Sequence, residues 1–161
     1  MGSGKTTVGK RLAGILRLKF ADTDQMLEKR TGVTVSHIFE IEGEAGFRER
    51  ESRLLDELSQ HTDQVISTGG GIILDPANRS RMHETGTSVY LHASMDVLWK
   101  RLRDCKTRPL LQTEDPKSRI RELMIARDPL YRENADLVVE VSSDSAPKTA
   151  ARIAAWLNQN S

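Results

Sequence analysis

Short apolar runs alternate along this chain with segments in which apolar residues recur at helical spacing. Val8, Leu12 and Ile15 recur three or four positions apart directly after the first seven residues, which predicts a helix there. Phe47, Leu54, Leu55 and Leu58 similarly fall on one side of a predicted amphipathic helix. The helices expected after the first lie at about 44–58, 94–104, 116–128 and 147–158.

The apolar runs between these helices are typical of short buried strands. The segment KFADTD (19–24) reads as a strand end followed by a turn, and the other predicted strands are 64–68, 87–93 and 135–141. Asp75-Pro76 and Asp115-Pro116 each place a capping carboxylate before a proline, which predicts two helix starts. Strands separated by helices indicate a parallel sheet covered on both faces, so the fold class is α/β.

Composition excludes several classes of protein. The 161 residues include 24 basic and 23 acidic side chains, so the net charge of +1 gives no electrostatic reason to expect nucleic acid or an anionic membrane as partner. Cys105 is the only cysteine, which rules out an internal disulfide and favours a reducing compartment. Without a transmembrane run or a signal-peptide pattern, a single-domain cytoplasmic protein is expected over 1–161.

The segment GSGKTT (2–7) opens directly onto the first predicted helix. Glycines let backbone N–H groups turn inward around phosphate oxygens, and the helix N-terminus adds favourable partial charge. Lys5 can then reach the β- and γ-phosphates of a nucleotide, and the Thr6 hydroxyl is placed to ligate Mg²⁺. The alternative is a Gly/Ser start that only caps the helix.

This phosphate loop departs from the full pattern G-x-x-x-x-G-K-[ST]. With Gly4, Lys5 and Thr6 as its end, the first glycine and the strand that feeds the loop would both precede Met1. That strand is usually central in a doubly wound sheet, so unpaired neighbouring strands and exposed core side chains are expected. One explanation is that Met1 is an internal residue of the natural protein.

Two carboxylates follow the first predicted strand. Asp22 and Asp24 are two residues apart, so both can project from one strand end into the same cleft. Phosphoryl transfer needs one carboxylate near magnesium and another near the acceptor hydroxyl. A solvated Asx turn remains the alternative.

Two further patterns suggest an acceptor site, and a third places an arginine before a proline. Arg48 and Glu51 are neighbours on one helix face, and an arginine held by a carboxylate can offer its fork to a substrate carboxylate, although such a pair is more often a surface ion pair. Gly69-Gly70-Gly71 after a buried strand allows close approach of a ligand, with a flexible turn as the alternative. Arg127, before Asp128-Pro129, is expected to be a helix-terminal cation.

A basic loop lies between the helices predicted at 94–104 and 116–128. Arg101, Arg103 and Lys106 precede Thr107-Arg108-Pro109-Leu110-Leu111. Mobile loops that carry arginine over a phosphate neutralise transition-state charge and exclude water. A charged surface loop is the alternative.

In their order along nearly the whole chain, these segments resemble shikimate kinase, within the nucleoside-monophosphate-kinase-like group of phosphate-loop proteins. The residues that carry the resemblance are GSGKTT, FADTD, EGEAGFRERE, STGGG, TRPLL and RDPLYRENAD. The resemblance implies a three-layer P-loop fold with a parallel sheet in the order 2-3-1-4-5. In this chain the first strand would be missing, the lid would cover about 105–116, and the substrate-binding helical region about 25–58.

The resemblance also implies roles for individual residues. Those implied for ATP binding are Gly2, Ser3, Gly4, Lys5, Thr6, Thr7, Arg101, Arg108 and Pro147. Asp22 would help Thr6 to hold Mg²⁺ through water, and Asp24 would contact the reacting hydroxyl as a possible base. Arg48 and Arg127 would clamp the shikimate carboxylate. Gly70 and Gly71 would lie at the ring hydroxyls, and Arg108 would be the catalytic lid arginine beside Lys5 and Asp24.

The activity implied is ATP-dependent phosphorylation of the 3-hydroxyl of shikimate by a cytoplasmic monomer, in the biosynthesis of aromatic amino acids. A gluconate kinase-like enzyme shares the phosphate loop but would not be expected to carry Arg48 and Arg127 together with Gly69 to Gly71. A non-catalytic shikimate- or nucleotide-binding relative is the alternative from another class, favoured only by the absent first strand.

Overall fold

The computed structural model describes residues 2–104, 109–141 and 145–160, in which helices and short strands alternate. The α-helices of these residues are α1 Lys5–Leu16, α2 Thr23–Thr31, α3 Val35–Ser59, α4 Pro76–Thr85, α5 Met95–Leu102, α6 Pro116–Asn134 and α7 Ala146–Gln159. The strands are β1 Lys19–Asp22, β2 Gln64–Ser67, β3 Val89–His92 and β4 Leu137–Glu140. Short 3-10 helices cover Ile72–Leu74 and Pro109–Leu111. This alternation confirms the predicted α/β class.

Within the described residues, the four strands form two parallel pairs rather than one continuous sheet. In the first half-sheet β1 pairs with β2, with Phe20 opposite Val65. In the second half-sheet β3 pairs with β4, with Leu91 opposite Val139. In the predicted order 2-3-1-4-5, strand 1 is the missing strand, so β1 and β2 correspond to strands 2 and 3, and β3 and β4 correspond to strands 4 and 5. The two observed pairs therefore match the two ends of that order.

A largely apolar cavity of about 550 Å³ borders both half-sheets. Val65 of β2 and Leu91 of β3 line it, and Leu12 and Leu16 of α1 contribute from the helix above. The cavity therefore lies where the predicted order places the first strand, and the expected loss of strand pairing at this position is confirmed.

Two apolar clusters form the core. The large cluster contains Val8, Leu12, Leu91, Ala93, Leu98, Leu102, Leu111, Ile120, Val139, Val141, Ala150, Ile153 and Ala154. The small cluster contains Leu27, Ile38, Phe47, Leu54 and Leu58. The small cluster joins α2 to α3, and α1 packs against both β2 and α7. Helix α1 thus bridges the two halves of the molecule.

The predicted caps before the two prolines are present. The Asp75 carboxylate accepts a hydrogen bond from Ala77 N at 2.8 Å, and the Asp115 carboxylate accepts one from Ser118 N at 3.0 Å. Each proline occupies the first turn of its helix, where a missing N–H costs nothing.

Two predicted boundaries are wrong. The turn expected after β1 is helix α2, because Asp22 caps it by accepting from Gln25 N at 3.2 Å. Helix α3 is interrupted at Gly43, with φ 70°, so the helix predicted from residue 44 is the second part of α3, and the part before Gly43, which begins at Val35, was not predicted. Helix α6 continues through Pro129 to Asn134, which places Arg127 inside a helix rather than at its end. Proline removes one helical hydrogen bond, and in the turn after Pro129 the Tyr131 hydroxyl donates to the Gly70 carbonyl oxygen.

None of the helices in the described ranges is long and apolar enough to cross a membrane.

Candidate active site

The phosphate loop lies directly before α1. Gly2 and Gly4 have φ values of 73° and 90°, a region that favours glycine. Gly4 occupies the N-cap position without a side-chain cap, and no acidic residue lies in the first turn. The first N–H groups of a helix have no intrahelical partner, so this helix start suits an anion. The predicted binding of phosphate by Gly2 to Thr7 stays a prediction that this helix start supports.

Arg101 contacts this loop from the end of α5. Its Nη1 donates to the Gly2 carbonyl oxygen at 3.0 Å, and a Cβ on Gly2 would lie 2.9 Å from Cγ of Leu102. The end of α5 therefore packs tightly on the loop. Pro147 lies in the first turn of α7, and its predicted contact with adenine stays a prediction.

Thr6 and Asp22 meet at the mouth of the loop. The Thr6 hydroxyl donates to Oδ2 of Asp22 at 2.6 Å, and Asp22 is buried at the end of β1. A hydroxyl beside a carboxylate is the oxygen donor set that Mg²⁺ prefers, with substrate phosphates and water completing its shell. In residues 2–104, 109–141 and 145–160, no group of three or more His, Cys, Asp or Glu side chains forms a metal cage. A magnesium ion that enters with a nucleotide fits this arrangement.

A cleft of about 290 Å³ continues from the loop. The predicted site residues that line it are Lys5, Thr6, Asp22, Asp24, Arg48, Gly70, Gly71 and Arg127. Asp24 lies in the first turn of α2, one residue after the buried Thr23. The fold thus brings together, in one cleft, groups from both ends of the sequence.

Arg48 is fixed in this cleft by carboxylates and aromatic rings. Its Nη1 donates to Oε2 of Glu51 at 2.7 Å, and its Nη2 donates to Oε1 of Glu44 at 3.0 Å. Its guanidinium carbon lies 5.3 Å and 5.9 Å from the ring centroids of Phe47 and Phe39. These contacts orient the planar fork of Arg48.

Glu51 is fully buried, so its pair with Arg48 is not the surface ion pair that the sequence pattern favours. Burial raises the pKa of the Glu51 carboxyl, and the neighbouring charge of Arg48 opposes that rise. Nearby Asp24 adds to the rise in the pKa of Glu51 because two carboxylates repel each other. Within the described residues, Oε1 of Glu51 has no hydrogen-bond partner.

The glycine turn 69–71 lies against these side chains. A Cβ on Gly69 would lie 2.0 Å from Oε1 of Glu51, and a Cβ on Gly71 would lie 2.0 Å from Cζ of Arg48. A side chain at either position would therefore force Glu51 or Arg48 to move. The predicted contact of Gly70 and Gly71 with a ligand stays a prediction.

Two residues that fix this turn were missed by the sequence reasoning. Thr23 accepts a hydrogen bond from Gly69 N at 3.0 Å and donates to the Ser67 carbonyl oxygen at 3.4 Å. The Tyr131 hydroxyl donates to the Gly70 carbonyl oxygen, beside Nη1 of Arg127 at 3.3 Å from the same oxygen. The only signals in the sequence are the position of Thr23 between two candidate carboxylates and of Tyr131 one turn after Arg127.

Arg108 and the predicted lid residues 105–107 lie outside the described residues. Residues 109–116 of the predicted lid are described, and of these Pro109 and Leu110 line the same cleft as Asp24 and Arg48.

Comparison with known proteins identifies the family. The sequence model of shikimate kinase matches residues 1–158. The shikimate kinase of Aromatoleum aromaticum is 55% identical over 140 residues, which cover 87% of this chain and 80% of the relative. That of Nitrosospira multiformis is 49% identical over 161 residues, 100% of this chain and 83% of the relative.

Solved structures agree. Shikimate kinase from Acinetobacter baumannii in complex with shikimate has a TM-score of 0.96 and 42% identity, covering 99% of this chain and 89% of that one. Shikimate kinase from Bacteroides thetaiotaomicron has a TM-score of 0.89 and 36% identity, covering 98% and 94%. With the family model spanning almost its full length, this chain belongs to the shikimate kinase family.

Proposed function

We propose that this chain transfers the γ-phosphoryl group of ATP to the 3-hydroxyl of shikimate, giving shikimate 3-phosphate and ADP in the biosynthesis of aromatic amino acids. The observation that carries the proposal is a single cleft that joins the phosphate loop to Asp24 and to two arginines, Arg48 and Arg127. Family membership and the A. baumannii relative with bound shikimate support the choice of acceptor.

The phosphate loop binds the nucleotide. Backbone N–H groups at the start of α1 and the ammonium of Lys5 hold the β- and γ-phosphates. Thr6 directly, and Asp22 through water, would hold Mg²⁺, which supplies neutralisation of phosphate charge when bound. Arg101, whose Nη1 donates to the Gly2 carbonyl oxygen, would contact the nucleotide on its adenine side together with Pro147.

The acceptor is held at the other end of the cleft. Arg48 and Arg127 clamp its carboxylate, because planar guanidinium groups match carboxylate oxygens in bidentate fashion. The turn at Gly70 and Gly71 lies against the ring hydroxyls. This clamp fixes the 3-hydroxyl between Asp24 and the γ-phosphorus.

Phosphoryl transfer then proceeds in line. The bond between the 3-oxygen and the γ-phosphorus forms as the bond from that phosphorus to the β,γ-bridging oxygen breaks, and Asp24 receives the hydroxyl proton. A loose transition state needs little prior deprotonation, so Asp24 need not be a strong base. Most of the rate gain comes from positioning and from charge neutralisation, to which Arg108 contributes from the lid spanning about 105–116.

The proposal includes the wider setting of the enzyme. It acts as a cytoplasmic monomer on small molecules, with no nucleic-acid or membrane partner. The segment 25–58 forms the helical region that binds shikimate, within a single domain of 161 residues.

The direct test is ADP release with ATP and Mg²⁺, measured with shikimate, quinate, gluconate or no acceptor. Turnover that depends on shikimate is expected. Preference for gluconate would favour the gluconate kinase-like reading, and binding of shikimate without turnover would favour a non-catalytic relative.

A further inference from the structure

The Gly70 carbonyl oxygen accepts two hydrogen bonds from one helix. Nη1 of Arg127 and the hydroxyl of Tyr131, one turn apart in α6, both donate to it. Gly70 is the middle residue of the glycine turn that lies against Arg48 and Glu51. The position of this turn in the cleft therefore depends on α6.

The two donors differ in what else they are needed for. Arg127 is buried and lines the acceptor end of the cleft. Its hydrogen bond to the Gly70 carbonyl oxygen is long, at 3.3 Å. If the guanidinium of Arg127 turns towards a substrate carboxylate, its hydrogen bond to the Gly70 carbonyl oxygen becomes longer and less well aligned. Without a second donor, the Gly70 carbonyl would then lose its hydrogen bond when the acceptor binds.

Tyr131 is well placed to be that second donor. Its ring stacks on Tyr90 of β3, with centroids 4.8 Å apart and an interplanar angle of 27°. The Tyr90 hydroxyl donates in turn to Oδ1 of Asp128 at 2.8 Å, which fastens the stack to α6. Burial also raises the pKa of the Tyr131 hydroxyl, so it stays protonated and can donate throughout the neutral range.

We propose that Tyr131 is a positioning residue for the acceptor: its hydroxyl holds the Gly70 carbonyl, so that the glycine turn keeps its place while Arg127 engages the substrate carboxylate. This inference rests on the proposed function, since it assumes that Arg127 meets an anionic acceptor in this cleft. Tyr131 acts through Gly70, so its effect is expected on acceptor affinity rather than on the chemical step.

The test is Tyr131→Phe, which removes the hydroxyl and keeps the stacked ring. We expect the calorimetric Kd for shikimate, and the KM for shikimate, to rise about three- to tenfold, the range of one hydrogen bond. The KM for ATP and kcat should stay within about twofold of wild type, because the phosphate loop is not touched.

Tyr90→Phe is the matched control. This substitution deletes the same group from the other ring of the stack, where the hydroxyl donates to Asp128 and not to Gly70. Shikimate affinity should stay within about twofold of wild type. A Tyr131→Phe chain with unchanged affinity, or an equal loss in both variants, would overturn the inference.

The readouts separate this inference from the proposed function. If wild type binds shikimate but releases no ADP, the proposed function fails, and the ratio of Kd values still decides the role of Tyr131. If wild type does not bind shikimate at all, both fail.

Discussion

Arg48 reaches the cleft from between two aromatic rings and two carboxylates, and its charge is the main compensation for Glu51. Arg50, two residues later on the same helix, instead pairs with Glu42 on the surface, where Nε and Nη2 donate at 2.7 Å and 2.6 Å. Two arginines of one helix therefore offer a direct comparison between a cleft residue and a surface residue.

Arg48→Ala is expected to raise the KM for shikimate by roughly thirtyfold or more, because losing one partner of a buried hydrogen-bonded charge pair costs about 2 kcal/mol or more. The value of kcat should change much less. Arg50→Ala serves as control, with a KM within about twofold of wild type. Steady-state kinetics with varied shikimate provide the measurement. A larger loss in kcat than in KM would contradict the assigned role of Arg48.

Glu51 gives a pH-dependent prediction. Burial raises its pKa above the ordinary value of 4.5, so the folded chain binds this proton more tightly than the unfolded chain. Its contribution to stability is therefore present below about pH 4.5 and is lost as pH rises through the folded-state pKa. Glu51→Gln mimics the protonated form, so the Tm of this variant relative to wild type should rise between pH 4.5 and 7.5. A Tm difference between the two proteins that is constant from pH 4.5 to 7.5 would show that the pKa of Glu51 is not raised in the folded chain.

At the scale of elements, the glycine turn between β2 and the 3-10 helix Ile72–Leu74 connects the two arginines of the cleft. Gly71 has φ −92° and ψ −9°, which any residue can adopt. A larger residue there would therefore act by displacing the Arg48 side chain and not by straining the backbone.

Gly71→Ala is expected to displace Arg48 and to raise the KM for shikimate about tenfold or more, since the new methyl would overlap its guanidinium. Gly14→Ala in α1 is the matched control, because nothing lies within 4 Å of its would-be Cβ. This control should leave the KM unchanged and raise stability by about 0.5–1 kcal/mol. Kinetics and thermal melts of both variants are compared. Equal KM values for shikimate in the two variants would show that a methyl group at position 71 does not displace Arg48.

The elements that could be predicted are those governed by local signals. The cores of the strands and the caps at Asp75 and Asp115 follow from apolar runs and from Asp-Pro pairs. The start of α2 was missed although its cap is local, because an aspartate that accepts from the backbone three residues on, as Asp22 does from Gln25 N, is also typical of a turn. The passage of α6 through Pro129 could not be predicted, because proline locally favours the end of a helix and the bond that Tyr131 makes after it goes to the Gly70 carbonyl, 61 residues away.

In the candidate site, too, local spacing could be predicted and contacts between distant residues could not. Arg48 and Glu51 were identified as a pair from their spacing, but spacing cannot report that the fold buries Glu51. Tyr131 carried no pattern of its own, since its partner is a backbone carbonyl 61 residues away.

At the scale of the whole molecule, the described strands form two half-sheets with an apolar cavity beside both. Leu16 of α1 lines this cavity, whereas Leu54 of α3 is closely packed in the small cluster, with only 2% of its surface exposed. The same substitution at these two positions should therefore have opposite effects.

Leu16→Phe is expected to be neutral or to raise the Tm by a few degrees, because a larger ring fills empty apolar space. Leu54→Phe is expected to destabilise the chain by about 1–3 kcal/mol through overpacking. Thermal melts and urea titrations of both variants decide the matter. A loss for Leu16→Phe as large as that for Leu54→Phe would show that the cavity does not persist in solution.

The divided sheet also has a consequence for strand pairing. Within the described residues, β2 and β3 each pair with a single strand and border apolar space. A strand edge of this kind is a template for any extended segment. The edges of β2 and β3 that face the cavity are therefore the places in the described residues where an added extended segment would pair.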